Sequence, residues 1–311
     1  MTTTAAAFGG LVPPVITPLT AEREVDTGSL ERVVGRMLDA GVDGLFALGS
    51  SGETVFLDDA QRDLALEVIV KTADGAVPVI AGAIEPATAR VVGRARAAER
   101  LGAQAVVTTA PFYAIVGPTE VERHFRSVHA AVDLPLLAYD IPVCVHTKIS
   151  NGLMLDLARD GVVVGVKDSS GDDIGFRQLL LLLKDAGLDG FATLTGHEVM
   201  VDAMLLAGAS GSVPGLANVD PAGYARLHAA VAAGDSATAR AEQERLTRLF
   251  RIVEAADPAT SAGMTRGAGS FKTALHVLGV IESNQVSLPL RPLDDAEAAR
   301  IRTVLESAEL L

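Results

Sequence analysis

The sequence predicts an α/β fold, a TIM (β/α)8 barrel, followed by a C-terminal helical extension. Short β-branched or apolar runs alternate with longer segments of helical periodicity, which is typical of a parallel sheet. Eight such runs are present, whereas an open doubly wound sheet, the alternative, usually has fewer strands. Beyond the eighth run the chain shows helical patterns alone. The predicted strands are Val12–Thr17, Gly44–Leu48, Val77–Ala81, Ala105–Thr108, Leu134–Tyr139, Val162–Val166, Gly190–Leu194 and Gly208–Val213.

The segments between these strands have apolar residues at a spacing of about 3.6, which indicates amphipathic helices. Glycine directly follows several of them, as the left-handed residue that ends a helix. We therefore expect a barrel domain over residues 1–219 and a helical region over residues 220–311 that packs on it. The predicted helices are Leu30–Ala40, Ala60–Lys71, Ala87–Leu101, Val121–Val132, Phe176–Ala186 and Val199–Ala207, then Tyr224–Ala233, Ser236–Ala256, Phe271–Gly279 and Asp294–Leu311.

Composition narrows the class of protein. The 26 lysines and arginines against 39 acidic residues give a net charge of −13, which disfavours nucleic acid and anionic membranes as partners. No apolar run reaches the length of a membrane span. The single cysteine, Cys144, excludes an intramolecular disulfide and fits a reducing compartment. We expect a cytoplasmic α/β protein that acts on a small molecule.

Lys167 is the most informative residue, because it ends the apolar run Val162–Val166 at a predicted strand end. The other four lysines of the chain lie in segments that read as helix or loop. Desolvation favours the uncharged form of a lysine, and an uncharged amine attacks a carbonyl carbon to form a Schiff base. A lysine that extends from the strand end to solvent, or one that pairs with Asp168, is the alternative.

The remaining unusual residues also follow predicted strands, where a barrel builds its active site. Gly49–Glu53 follows the second strand and has the backbone N–H groups and hydroxyls of an anion site, which suits a carboxylate or phosphate. An ordinary Gly/Ser turn is the alternative. Tyr139 ends the fifth strand, where a phenol can relay protons, although a buried structural tyrosine is the more common case. Tyr113 follows the fourth strand, and it too fits either a proton relay or a structural tyrosine.

A metal or cysteine site is disfavoured. His197 with Glu198, and His146, have none of the spacings of metal-binding motifs. Cys144 and His146 lie two residues apart without a third group to form a nucleophilic triad. We therefore predict no metal and no organic cofactor, and these residues are expected to line a pocket or pack.

Three motifs, Gly49–Glu53, Tyr139–Pro142 and Gly165–Gly171, resemble the signatures of the dihydrodipicolinate synthase/N-acetylneuraminate lyase family. The resemblance covers the chain from about Gly10 through the C-terminal helices. It implies a barrel with a C-terminal helical domain and class I, Schiff-base chemistry on pyruvate or another 2-keto acid. It also implies a homotetramer built as a dimer of dimers.

The resemblance assigns a role to individual residues. Lys167 corresponds to the Schiff-base lysine and Tyr139 to the tyrosine that moves protons at the adduct. Tyr113 corresponds to a tyrosine that, in many members, reaches into the neighbouring subunit's site. The remaining predicted residues bind substrate: Ser50 and Ser51 correspond to the hydroxyl pair at the keto-acid carboxylate, and Gly196 and Val213 to pocket positions beside the keto acid.

One departure from the family pattern bears on the substrate. Members of the synthase branch carry an arginine for aspartate semialdehyde at the position of Cys144, and cysteine makes no bidentate contact with a carboxylate. Asp140 stands for the usual asparagine, with His146 and Thr147 nearby. We hypothesise an aldolase that cleaves a 2-keto-3-deoxy sugar acid into pyruvate and an aldehyde. Dihydrodipicolinate synthase, a dehydratase that uses the same imine, and a non-catalytic keto-acid-binding regulatory barrel are the alternatives.

Overall fold

The barrel is seen in the computed structural model, which describes residues 8–311 of the 311-residue chain. Eight parallel strands form one sheet, and they are β1 (Gly10–Leu11), β2 (Leu45–Ala47), β3 (Val79–Gly82), β4 (Ala105–Thr109), β5 (Leu136–Asp140), β6 (Gly165–Asp168), β7 (Ala192–Thr195) and β8 (Gly211–Ser212). Their order in the sheet is β1-β8-β7-β6-β5-β4-β3-β2. Their inward-facing side chains fill the interior, as barrels of this size require.

The first strand differs from its prediction, because the ladder with β8 covers Gly10–Leu11 and not Val12–Thr17. Proline has no backbone N–H, so the Pro13–Pro14 pair interrupts regular pairing. The chain beyond β1 nevertheless joins both ends of the sheet. The amide of Phe46 donates to Pro13 at 2.9 Å, and the amide of Val15 donates to Phe46 at 2.9 Å. These bonds close the ring between β1 and β2.

Helices cover the outside of the barrel and continue beyond it. The helices are α1 (Thr27–Asp39), α2 (Asp59–Ala73), α3 (Thr88–Arg100), α4 (Pro118–His129), α5 (Pro142–Val145), α6 (Asn151–Arg159), α7 (Asp173–Asp185), α8 (Val201–Leu206), α9 (Pro221–Ala232), α10 (Ser236–Phe250), α11 (Ser270–Val277) and α12 (Asp295–Ser307). Asp58 begins α2 with a capping box, and Asp26 caps α1 through the amide of Ser29.

The helical predictions were right for most segments and wrong in three places. The short helix α5 was not predicted. Helix α6 was not predicted either, although Ser150 caps it and Leu157 lies on its buried face. The predicted helix Ser236–Ala256 ends at Phe250, where a 3-10 turn follows. Glycines 41, 102, 187 and 208 all have positive φ, as predicted for helix ends.

Helices α9 to α12 follow the barrel in sequence and pack on it. Helix α9 contacts α1, β1 and α10, so the helical region and the barrel share buried surface. The division at residues 219 and 220 stays a prediction. Within residues 8–311, every helix is too short or too polar to cross a bilayer.

Candidate active site

Tyr139 and Lys167 lie side by side at the C-terminal ends of neighbouring strands. The register pairs Tyr139 of β5 with Lys167 of β6, so alternation along each strand turns both side chains to the same face. Both are buried, with exposed fractions of 2% and 5%. Lys167 belongs to β6, which runs from Gly165 to Asp168 and not from Val162 to Val166 as predicted. The lysine is therefore held by the ladder itself.

The amine of Lys167 is surrounded by aromatic groups and one hydroxyl. Its Nζ donates to Tyr139 Oη at 3.1 Å and lies 4.2 Å from the centroid of that ring. The ring of Phe46 is 4.7 Å from Nζ and meets the tyrosine ring edge-on at an interplanar angle of 84°. At these distances the two rings attract the ammonium form of the amine by cation–π interaction. Phe46 was not among the predicted site residues, although it lies within the predicted strand Gly44–Leu48.

The loop Gly49–Gly52 follows β2 and reaches the same tyrosine. Ser50 Oγ lies 3.4 Å from Tyr139 Oη, so the phenol links this hydroxyl to the lysine amine. A side chain at position 49 would approach the ring of Phe46 to 2.7 Å, which explains the glycine there. The loop leaves β2 through Leu48 at φ 57° and ends at Glu53 at φ 59°. These left-handed residues give the loop its tight path.

A cavity of about 290 Å³ opens beside this group. It brings together five of the predicted site residues, and Ser50 adjoins them through Tyr139. The lining residues are Pro14, Ser51, Tyr139, Ile141, Val143, Lys167, Ser169, Gly171, Gly196, His197, Glu198, Val213 and Gly215.

Position 196 has no room for a side chain, which explains its glycine. A Cβ atom there would overlap Oγ of Ser169 and lie 3.2 Å from Cε of Lys167. The absence of a side chain therefore leaves the lysine free to reach the cavity.

Tyr113 lies apart from this group. Its side chain is 97% exposed, and its backbone has φ 74° on the loop after β4. It does not line the cavity. Within one chain, the structure does not bring Tyr113 together with the other predicted catalytic residues.

Glu198 and His197 add ionisable groups to the cavity wall. Burial raises the pKa of Glu198, opposed by the charges of Lys167 and His197. The Gly215 amide donates to Glu198 Oε1 at 3.0 Å, and His197 Nδ1 lies 3.0 Å from Asp173 Oδ2. The pocket role expected for His197 and Glu198 agrees with this position. The raised pKa of Glu198 was not predicted, since it depends on how the folded chain surrounds this half-buried side chain.

Behind the site, Lys148 bridges the two strands that carry the tyrosine and lysine. Its Nζ contacts Asp140 and lies 3.3 Å from Asp168, which are partners in the β5–β6 register. Burial raises the pKa of Asp140 despite the lysine, and the two carboxylates together raise the pKa of Lys148 against the effect of burial. Asp140 also accepts the amide of Ile149 at 3.2 Å. These contacts fix the segment between Asp140 and Ile149.

Cys144 and His146 lie on this segment and are exposed. Cys144 borders a second, mainly apolar cavity of about 230 Å³, which also includes Ser50 and Ile141. Within residues 8–311, no three His, Cys, Asp or Glu side chains are grouped as metal ligands.

Comparison with known sequences identifies relatives along the whole chain. The model of the dihydrodipicolinate synthetase family matches residues 7–308. A 4-hydroxy-tetrahydrodipicolinate synthase of Phenylobacterium zucineum is 32% identical over 98% of this chain and 98% of its own length. An uncharacterised DapA-like lyase of Halobacterium salinarum is 33% identical over 97% of this chain and 94% of its own length.

Solved structures agree with the sequence relatives. YagE of Escherichia coli K12, a member of the dihydrodipicolinic acid synthase family crystallised with pyruvate, superposes with a TM-score of 0.91 at 27% identity, covering 98% of this chain and 99% of YagE. A dihydrodipicolinate synthase of Thermotoga maritima gives a TM-score of 0.90 at 26% identity, covering 98% of this chain and all of that one. The chain therefore belongs to the dihydrodipicolinate synthetase family of pyruvate-dependent class I aldolases and lyases.

Proposed function

We propose that the protein is an aldolase that forms a Schiff base between Lys167 and a 2-keto-3-deoxy sugar acid, and releases pyruvate and an aldehyde. The observation that carries the proposal is the 3.1 Å contact between Lys167 Nζ and Tyr139 Oη at adjoining strand ends beside a cavity. It supplies a nucleophile and a proton carrier at the same point.

The chemistry follows from these groups. The uncharged amine adds to C2 of the keto acid, and the carbinolamine loses its oxygen as water after Tyr139 donates a proton. The resulting iminium accepts the electron pair of the C3–C4 bond when Tyr139 removes the proton of the C4 hydroxyl. An enamine and an aldehyde result. Protonation at C3 and hydrolysis of the imine then release pyruvate and regenerate the lysine.

The keto-acid carboxylate binds at the loop Gly49–Gly52 in this proposal. Ser51 lines the cavity, and Ser50 faces the phenol that serves the adduct. Backbone N–H groups and hydroxyls are suitable donors for a carboxylate. Gly196 and Val213 leave room beside it, since both line the same cavity without large side chains.

The lining favours a hydroxylated second product over a second carboxylate. Of the lysines and arginines within residues 8–311, Lys167 alone lines the cavity. A second carboxylate, as in aspartate semialdehyde, would be left without an arginine. Ser169, His197 and Glu198 offer hydroxyl, imidazole and carboxyl groups that hydrogen-bond to hydroxyls.

4-Hydroxy-tetrahydrodipicolinate synthase is the second candidate, because several relatives carry that name. The test compares two reactions: pyruvate release from a panel of 2-keto-3-deoxy acids, and condensation of pyruvate with aspartate semialdehyde. We expect release to dominate. Cys144→Arg, which restores the arginine of the synthase branch, is expected to shift the ratio toward condensation.

Efficient condensation by the unmodified enzyme would contradict the sugar-acid proposal. Product analysis covers the dehydratase alternative, in which the carbon skeleton is kept. Failure of borohydride to trap pyruvate on the protein would favour the non-catalytic alternative.

The assembly proposed is a homotetramer in the cytoplasm. An aromatic side chain that is 97% exposed on a strained loop, as Tyr113 is, suits a subunit interface. Sedimentation analysis of the protein and of Tyr113→Ala tests this point. A monomer with full activity would contradict the role proposed for Tyr113, and a monomeric dihydrodipicolinate synthase variant shows that the fold persists without assembly.

A further inference from the structure

A fully buried ion pair joins the loop after β2 to the C-terminal helical region. The carboxylate of Glu53 contacts the ammonium of Lys272 on α11, and both side chains have an exposed fraction of 0%. No other ion pair within residues 8–311 has both partners completely buried. The two residues are far apart in sequence, so the contact fixes a tertiary arrangement.

Both charges have further partners that hold them in place. The amide of Ser287 donates to Glu53 Oε2 at 2.7 Å, and Lys272 donates to the carbonyl of Gln285 at 2.9 Å. Burial lowers the pKa of Lys272, and the charge and hydrogen bond of Glu53 oppose this effect. Removing one member of such a pair leaves an uncompensated buried charge, which is strongly unfavourable.

The pair acts directly on the loop that is proposed to bind the keto acid. The amide of Glu53 donates to the carbonyl of Ser50 at 3.0 Å, which closes the loop into a turn. Glu53 itself has φ 59°, a backbone conformation that non-glycine residues adopt only when their surroundings impose it. The contacts of its side chain supply that restraint.

We propose that the Glu53–Lys272 ion pair positions the Gly49–Gly52 loop for substrate capture, so that the C-terminal helical region takes part in keto-acid binding. This inference rests on the proposed function of the loop. Lys272 and Glu53 are positioning residues, because neither lines the cavity. Their loss should weaken capture of the keto acid more than the chemistry that follows.

Borohydride trapping of pyruvate at increasing concentrations separates these two effects. In Lys272→Met, we expect half-saturation to rise by at least about tenfold, while the limiting rate of trapping stays within about threefold. The double variant Glu53→Gln with Lys272→Met has no unpaired buried charge but also lacks the ion pair, so its half-saturation should stay raised by at least about tenfold. A return to within about threefold of the unmodified protein would overturn the inference, because the rise in Lys272→Met would then come from the unpaired charge of Glu53 alone. Lys272→Gln, which keeps a donor, serves if Lys272→Met does not fold, with the same rise expected.

Arg291→Met is the matched control, since Arg291 pairs with Glu297 in the same helical region at 2.7 Å and does not contact the loop. Its half-saturation should not change. Unchanged half-saturation in the folded Lys272 variant would overturn the inference, as would an equal rise in the control. Absence of trapping in the unmodified protein would instead overturn the proposed function.

Discussion

Removal of one oxygen atom at Tyr139 tests the proton transfer. Tyr139→Phe deletes the contacts to Lys167 Nζ at 3.1 Å and to Ser50 Oγ at 3.4 Å. The ring remains, with its 84° contact to Phe46 and its centroid 4.2 Å from Nζ. The variant is therefore expected to keep the geometry of the cavity and of the lysine.

Tyr139→Phe is expected to lower kcat strongly and the free energy of unfolding only slightly. A positioned acid–base group contributes about 10²- to 10⁴-fold, so kcat for pyruvate release should fall by about that factor. One strong and one weak hydrogen bond are lost, which predicts a decrease of about 1 kcal/mol in the free energy of unfolding. Steady-state pyruvate release and denaturant unfolding measure the two quantities.

Tyr224→Phe is the matched control for this experiment. Tyr224 is also fully buried, and its hydroxyl donates to the backbone carbonyl of Glu198 at 3.2 Å. It should lose a similar amount of stability while kcat stays within about threefold. A kcat of Tyr139→Phe within about threefold of the unmodified enzyme would contradict a proton-transfer role for the phenol, as would an equal loss of activity in the control.

Two further predictions concern other parts of the molecule. Gly196→Ala is expected to slow imine formation by at least about tenfold, because the new Cβ would lie 3.2 Å from Cε of Lys167. Borohydride trapping of the imine at the rate of the unmodified protein would contradict this prediction. Burial lowers the pKa of His124 to about 4 in the folded state, whereas the unfolded residue protonates near 6.5. The contribution of His124 to the free energy of unfolding is therefore fully present above pH 6.5 and decreases as the pH falls toward 4. At pH 5 the decrease is about 2 kcal/mol. His124→Gln should remove this part of the pH dependence, and the exposed His129→Gln should not.

The strand order and the location of the site were predictable, because in a barrel the order of strands and helices along the chain determines where each strand end lies. A parallel strand followed by a helix fixes which strand end faces the site, so Lys167 and Tyr139 had to lie at the same rim. The exact ends of the strands were harder to predict from the sequence. Val162–Val166 is apolar, but the ladder that defines β6 runs from Gly165 to Asp168, since pairing with β5 sets it.

Contacts between residues that are far apart in the chain could not be predicted from the sequence. Nothing near Glu53 indicates that its partner is Lys272, because burial of an ion pair depends on how α11 packs against the barrel. The raised pKa of Glu198 has the same origin, since the burial that causes it comes from the packed fold. Tyr113 shows another limit. The resemblance predicts that it reaches into the site of a neighbouring subunit, and in one chain its ring is exposed.

The most direct test of the account is the identity of the lysine that borohydride attaches to pyruvate. The chain has five lysines, at positions 71, 148, 167, 184 and 272, so peptide mass mapping after reduction distinguishes them. The adduct is expected on Lys167 alone and should disappear in Lys167→Ala. An adduct on another lysine, or one that persists in that variant, would contradict this expectation.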